Sequence, residues 1–332
     1  MSNTQGHRSP RRARGLLKGL VALLLCAALV AGIGILFDRT IRPVLSPDEC
    51  VASYEDMQVR LSLEQGRNAA LIAAIAVERE LPARAVTIAL ATALQESKLR
   101  NIAYGDRDSL GLFQQRPSTG WGTQEQVLDP VHATNAFYDA LVKVNGYREM
   151  EVTEAAQKVQ RSAFPDAYAD HESDARVLAS ALTGQTPEGF TCTVSAGAKT
   201  LDEPLLAKGL TPRADAVLSD VEAAFGRQSV GGFEPRGVAS GHMDGSAHYS
   251  GRAVDFFFRP VNEANNRRGW ALAHYLVANA ERLHIATVIF DDRIWQASRS
   301  HSGWRDYRVP SSSKGDREIL EHRDHVHVDV FR

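Results

Sequence analysis

The stretch GLVALLLCAALVAGIGILF, Gly19 to Phe37, runs for 19 residues without a polar side chain. As a helix it would extend roughly 28 Å at about 1.5 Å per residue, close to the hydrocarbon thickness of a bilayer. The residues before it include Arg8, Arg11, Arg12, Arg14 and Lys18 and no acid. That asymmetry predicts a cytoplasmic segment over 1–18, a single-pass transmembrane anchor over 19–37, and an extracytoplasmic location for everything beyond. A signal peptide cleaved near the small residues Ala31 and Gly32 is the competing reading, and it would make the product secreted. The run is longer than a usual signal core, which favours the anchor. Cys26 has no small residue immediately before it, which argues against lipoprotein processing.

That compartment changes what the rest of the chain can do. Outside the membrane cysteines can pair, and only Cys50 and Cys192 remain after the anchor. They bracket one apparent domain, so a disulfide between them is expected, contributing roughly 4–5 kcal/mol in the chain-entropy model. The 33 basic and 40 acidic residues beyond Phe37 leave a mildly acidic body, which does not suggest a nucleic-acid partner.

The 332 residues suffice for two ordinary domains. Residues 38–60, with Pro43 and Pro47, read as a stalk. From 61 to 185 the signals are helical. NAALIAAIAV after Asn68 is apolar on every side, the pattern of a buried central helix. Pro82 opens PARAVTIALATALQESKL, a second apolar helix. Helical runs near 130–145, 151–162 and 171–183 follow, the last with Asp170 as candidate N-cap. Composition shifts over 186–210, which reads as a linker. Beyond it, Thr211-Pro212 opens a helix that Gly226 closes. GRAVDFFF, ATVIF and HVHVDV read as strands, and NNRRGWALAHYLVANAERL as an amphipathic helix, so residues 211–332 form an α+β domain.

Two constellations carry chemistry. In the first, the apolar helix ends in ALQES, and SLGLFQQRPSTGWGT follows after a loop. Glu96 succeeds a run of small and aliphatic residues, surroundings that favour a protonated carboxyl, the form a general acid needs. The Glu-Ser pair closing an apolar helix, with Gly-Leu-Phe-Gln fifteen residues after the Glu, resembles the lysozyme-like soluble lytic transglycosylase family. The resemblance implies an all-α fold for 61–185, Glu96 as catalytic acid, and Gly111, Leu112, Phe113 and Gln114 lining a glycan cleft. Such an enzyme needs no second carboxylate, because the substrate's own hydroxyl attacks. Gln115-Arg116-Pro117 departs from the family pattern. Trp121 suits either a sugar platform or the core.

In the second, His248 and Asp255 stand in an H-x6-D arrangement. Strand alternation puts Ala253, Asp255 and Phe257 on one face, and His325, His327 and Asp329 on one face of the terminal strand. A carboxylate inside an apolar strand needs a strong partner such as a metal ion, and imidazole with carboxylate suits zinc. Ser246, His248, Asp255 and His325-Val326-His327 resemble the metallopeptidase superfamily of D-alanyl-D-alanine carboxypeptidases, murein endopeptidases and hedgehog-type domains. The resemblance implies an antiparallel sheet, one Zn2+ held by His248, Asp255 and His327, and His325 acting on the scissile carbonyl or the oxyanion. The general base stays open between His325 and Asp324. Arg236 is a candidate for gripping a substrate carboxylate; His322 and His242 are expected just outside the ligand set.

Glycan-cleaving and peptide-cleaving resemblances in one extracytoplasmic chain meet on one substrate, peptidoglycan. The expectation is a cell-wall hydrolase cutting both bond types. The competing expectations are a wall-binding protein whose folds hold ligand without turnover, and a chain with only one active domain.

Overall fold

The computed structural model describes residues 48–162, 166–195, 201–309, 311 and 313–332. The expected anchor at 19–37, the basic segment before it and most of the stalk lie outside the described residues. Among the described residues no helix is long and apolar enough to cross a membrane.

The expected stalk is, from residue 49, a hairpin: β1 (Glu49–Tyr54) pairs with β2 (Met57–Leu61). β3 (Phe190–Thr193), inside the expected linker, adds to the other edge of β1. The first half therefore carries a three-stranded sheet, ordered β2-β1-β3, beside its helices, where all-α was expected. Cys50 and Cys192 face each other in the β1–β3 ladder and are joined by a disulfide.

α1 (Leu63–Glu78) starts at Ser62, whose hydroxyl accepts from the Gln65 backbone N–H while the Gln65 side chain returns to the Ser62 N–H, a capping box. Eight of its residues, chiefly alanines and isoleucines, are buried. α2 (Ala83–Ser97) follows Pro82 and buries eleven residues. Short helices α3 (Gln124–Leu128), α4 (Pro130–Leu141) and α5 (Val152–Gln160) complete the shell with α6 (Glu172–Leu182). The N-cap of α6 is His171 rather than Asp170, because a 3-10 turn over 169–171 feeds directly into the helix.

In the second half α7 (Pro212–Phe225) opens at Thr211, whose side chain accepts from the Ala214 N–H, and stops at Gly226. The sheet is antiparallel with six strands in the order β4-β5-β9-β6-β7-β8: β4 (Val230–Gly231), β5 (Ala253–Phe257), β6 (Ile285–Phe290), β7 (Arg293–Gln296), β8 (Arg305–Asp306) and β9 (His325–Val330). α8 (Glu263–Ala278) lies against β6 and β9 on one side and against α1, α6 and β3 of the first half on the other. Sandwiched this way, it buries every residue from Gly269 to Ala278, so its polarity is confined to the first two turns rather than to one face. The last helix, α9 (Arg317–Leu320), is a single turn before β9.

The halves share one hydrophobic core, and residues 47–332 form one compact unit. Polar contacts tie them together as well. The indole N–H groups of Trp295 and Trp304 donate to the carbonyls of Cys192 and Phe190 at 3.2 and 2.8 Å. His274 Nδ1 donates to the carbonyl of Ala181 at 2.9 Å. The strand bearing the disulfide is thus also the strand onto which the second half docks.

Candidate functional site

The centre of the six-stranded sheet places the second constellation. In the β5–β9 ladder Asp255 pairs directly with His327, Phe257 with His325, and Ala253 with Asp329. Directly opposed residues of an antiparallel pair share a face, so Asp255, His325, His327 and Asp329 stand together. His248 comes from a 3-10 turn (Ala247–Ser250), and its own N–H donates to the Ser246 hydroxyl that caps the turn. Ser246 therefore shapes the turn that presents His248.

Three atoms converge. His248 Nε2 lies 3.1 Å from His327 Nδ1 and 3.3 Å from Asp255 Oδ1, and His327 Nδ1 lies 3.0 Å from the same Asp255 oxygen. Ligands at about 2.0–2.1 Å around a tetrahedral ion stand about 3.3–3.4 Å apart, so the triangle is close to a coordination face. The protons support this. His248 Nδ1 faces the carbonyl oxygen of Gly232 at 2.7 Å, which can only accept, so Nδ1 carries the hydrogen and Nε2 the lone pair. His327 meets a carboxylate at each nitrogen, Asp255 Oδ1 from Nδ1 at 3.0 Å and Asp329 Oδ2 from Nε2 at 3.4 Å; with the hydrogen on Nε2, the Nδ1 lone pair points into the triangle. With all three lone pairs free, atoms held this close need a cation between them. Without a metal the cation is a proton: burial pushes His327 down, but its bonds to Asp255 and Asp329 outweigh that and raise it to about 9. Burial pushes Asp255 up, yet the hydrogen bonds from His248 and His327 hold it well below the usual carboxylate range. Gly232 completes the cradle. At φ +79° it occupies the left-handed region, and a Cβ there would sit 2.3 Å from His248 Cε1 and 2.9 Å from Asp255 Oδ2. The residues present fit zinc.

His325 stands beside this triangle. Its Nδ1 is 2.6 Å from Asp324 Oδ1, and its Nε2 is 4.0 Å from Asp255 Oδ1. The other oxygen of Asp324 accepts from Arg259 Nε at 2.7 Å, and the Arg259 guanidinium lies over the Phe257 ring at 4.1 Å. Burial pushes Asp324 up, but His325 and Arg259 together hold it below its ordinary value. Both oxygens of Asp324 are committed, whereas His325 keeps a nitrogen facing the site. His322 is outside the triangle, its ring 4.6 Å from His325 and 5.8 Å from His327. Burial, with the charge of those two neighbours, depresses it to about 3. His242 stacks on His248 at 3.9 Å; burial and the charge of His248 lower it too.

A cleft of about 480 Å³ opens over these groups, with Arg252, Arg259, Tyr307, Ile289, Val309 and Ile319 among its lining. Arg236 is exposed and does not line it. The cation in the cleft that reaches the site is Arg259, which sequence reasoning missed.

The first constellation is built at the end of α2. The Ser97 hydroxyl donates to the carbonyls of Ala93 and Leu112 at 3.1 and 2.7 Å, and Gln160 donates to the carbonyl of Phe113 at 2.7 Å. These bonds fix the Gly111–Gln114 turn beside Glu96. Leu112 and Phe113 are fully buried, with Phe113 stacked on Phe137 at 4.6 Å; Gly111 is buried as well, at φ +77°. Of the four expected lining residues, only Gln114 presents a partly exposed side chain. Gln115 is also buried, donating to the carbonyl of Ala133, and Trp121 packs against the edge of the core. Glu96 is half-buried, and its Oε1 accepts from the Tyr168 hydroxyl at 2.7 Å. Burial, reinforced by the Glu96 charge, pushes the Tyr168 phenol well up, so the phenol stays a donor. Tyr168 carries no local signal in the sequence: it reaches Glu96 from a connection 72 residues away.

Residues 206–317 match the family model described as VldE, C-terminal domain. The match includes His248 and Asp255 and ends before His325 and His327. No curated protein matches the chain.

Proposed function

We propose that the chain is an extracytoplasmic peptidoglycan hydrolase whose second half is a zinc-dependent peptidase and whose first half cleaves glycan strands. The observation that carries the peptidase reading is the convergence of three potential ligand atoms from His248, Asp255 and His327, 3.0–3.3 Å apart, beside an oriented histidine. Zinc held by these residues would supply Lewis acidity at a scissile amide carbonyl. His325 is the general base: Asp324 fixes the proton on its Nδ1, and Nε2 takes a proton from the attacking water and returns it to the leaving amine. Arg259 keeps Asp324 ionised and in place. The apolar wall of the cleft, with Ile289, Val309 and Ile319, receives the short side chains of a stem peptide and limits water at the bond being cut.

In the first half Glu96 gives a proton to the glycosidic oxygen. With Oε1 held by Tyr168, Oε2 is the oxygen free to carry that proton, and the substrate's own hydroxyl is the nucleophile. The shared core supports a single machine acting on one polymer that contains both bonds.

The test is digestion of purified sacculi by the chain, with chromatography of the released fragments. Anhydro-muropeptides should disappear in Glu96→Gln, and new peptide termini should disappear on chelation or in His248→Ala. Release of neither product by zinc-loaded protein overturns the hydrolase reading and leaves a wall-binding protein.

A further inference from the structure

Another imidazole, that of His242, stands beside the metal triangle. His242 offers a ring nitrogen that lies, with ligand atoms of His248 and Asp255, in a group whose members are all within 4.8 Å of one another. Among the described residues its ring makes no hydrogen bond; its polar contacts run through its backbone, with N–H and C=O both meeting the Tyr249 hydroxyl. Tyr249 adjoins His248 on the same 3-10 turn, so the backbone of His242 is pinned to the metal site, while its ring is held only by stacking on His248 at 3.9 Å.

The loop that carries it is anchored at both ends on His248. Gly232 starts the loop and accepts from His248 Nδ1, and Ser246 ends it by capping the His248 turn. Between these anchors the flanking glycines Gly241 and Gly245 adopt φ +96° and +80°, with no atom within 4 Å of where a Cβ would stand. Open space therefore surrounds the backbone at Gly241 and Gly245, either side of His242. It also forms one wall of the cleft, from Gly241 to Ser246, so a peptide entering the site must pass it.

We propose that His242 is the fourth ligand of the resting site and that an incoming substrate displaces it. This rests on the metal site assigned under the proposed function. A fourth protein ligand closes the tetrahedron of a structural zinc, whereas a hydrolytic zinc needs an open position. A ligand on a hinged loop switches the site between those states. The resting chain is then closed until a peptide of sufficient length pushes the 233–245 loop aside, a means of restraining a wall-cutting enzyme.

The test uses the full-length chain purified in detergent and loaded with Co2+ or Zn2+. X-ray absorption should count three imidazoles in the wild type and two in His242→Ala. Zn2+ affinity should fall in the variant by more than the roughly 10–100-fold that loss of an outer partner costs. His242→Phe keeps an aromatic ring against His248 but cannot ligate, and it should behave as His242→Ala does. Two imidazoles in the wild type, or wild-type affinity in His242→Phe, overturns the proposal alone. A chain that takes up no metal, with or without His248, overturns it together with the metal site.

Discussion

Acidification should loosen the seam between the two halves through one side chain. His274 projects from α8 toward the C-terminal end of α6, fully buried, with Nδ1 bonded to Ala181 and Nε2 buried without a partner. Phe190, Trp270 and Trp304 surround the ring. Burial pushes its pKa down to about 4, against a smaller upward pull from the Ala181 carbonyl. In the unfolded chain the ring titrates near 6.5. Below that pH the unfolded chain binds a proton that the folded one refuses. Stability from this group is therefore complete above about pH 6.5 and declines by about 1.4 kcal/mol per unit until about pH 4. Between pH 7.5 and pH 4.5 the loss integrates to about 2.5 kcal/mol. His274→Asn keeps a donor for Ala181 and removes the titration. It will be less stable at pH 7.5, where it leaves a cavity beside Trp270, but its deficit should shrink by about 2.5 kcal/mol at pH 4.5. Urea unfolding followed by tryptophan fluorescence measures both differences, and the other histidines cancel between the two proteins. A deficit unchanged to within about 0.5 kcal/mol across that range would refute the reasoning.

Four further outcomes are expected. Reducing Cys50–Cys192, 142 residues apart, should lower stability by up to about 5 kcal/mol in the chain-entropy model; identical urea midpoints with and without reductant would contradict it. Gly232→Ala places a methyl against His248 and Asp255 at a positive φ and should cost about 1–3 kcal/mol while lowering zinc stoichiometry, which calorimetry and metal analysis read separately. His325→Ala should leave zinc bound but slow release of peptide termini by about 10²–10⁴-fold, whereas equal loss of metal and turnover would make His325 a ligand. Tyr168→Phe removes a hydrogen bond to a carboxylate worth about 1.5–3 kcal/mol, so glycan-strand release should slow by roughly ten- to a hundredfold with the peptide products unchanged.

The readability of this chain follows the range of each interaction. Helices α1 and α2 are legible because their caps and apolar runs are local, and so is the parity of Asp255 and of His325 with His327. The three-stranded sheet is not: β1 and β3 are short and separated by well over a hundred residues, so each alone resembles a stalk or a linker. α8 reads as amphipathic because its first turns are polar, and only the docking of the first half explains why its remaining turns are buried on all sides. The site divides along the same line. Alternation places Asp255 on a face, but only the β5–β9 register sets it opposite His327, and nothing near Glu96 announces Tyr168. Arg236 and Arg259 make the difference sharper. Arg236 suggests itself through its nearness in sequence to His242 and His248, yet it sits exposed at φ +80° outside the cleft. Arg259 lies two residues beyond Phe257, so continuing the alternation that selects Asp255 selects it too. The N–H of Phe258 bonds to the carbonyl of Asp324, carrying the pairing far enough for Arg259 to meet the Asp324 carboxylate. The period-2 signal held that residue; it was lost by ending the strand where the apolar run ends, at a position where the pairing partner, not the side chain, decides how far the strand continues.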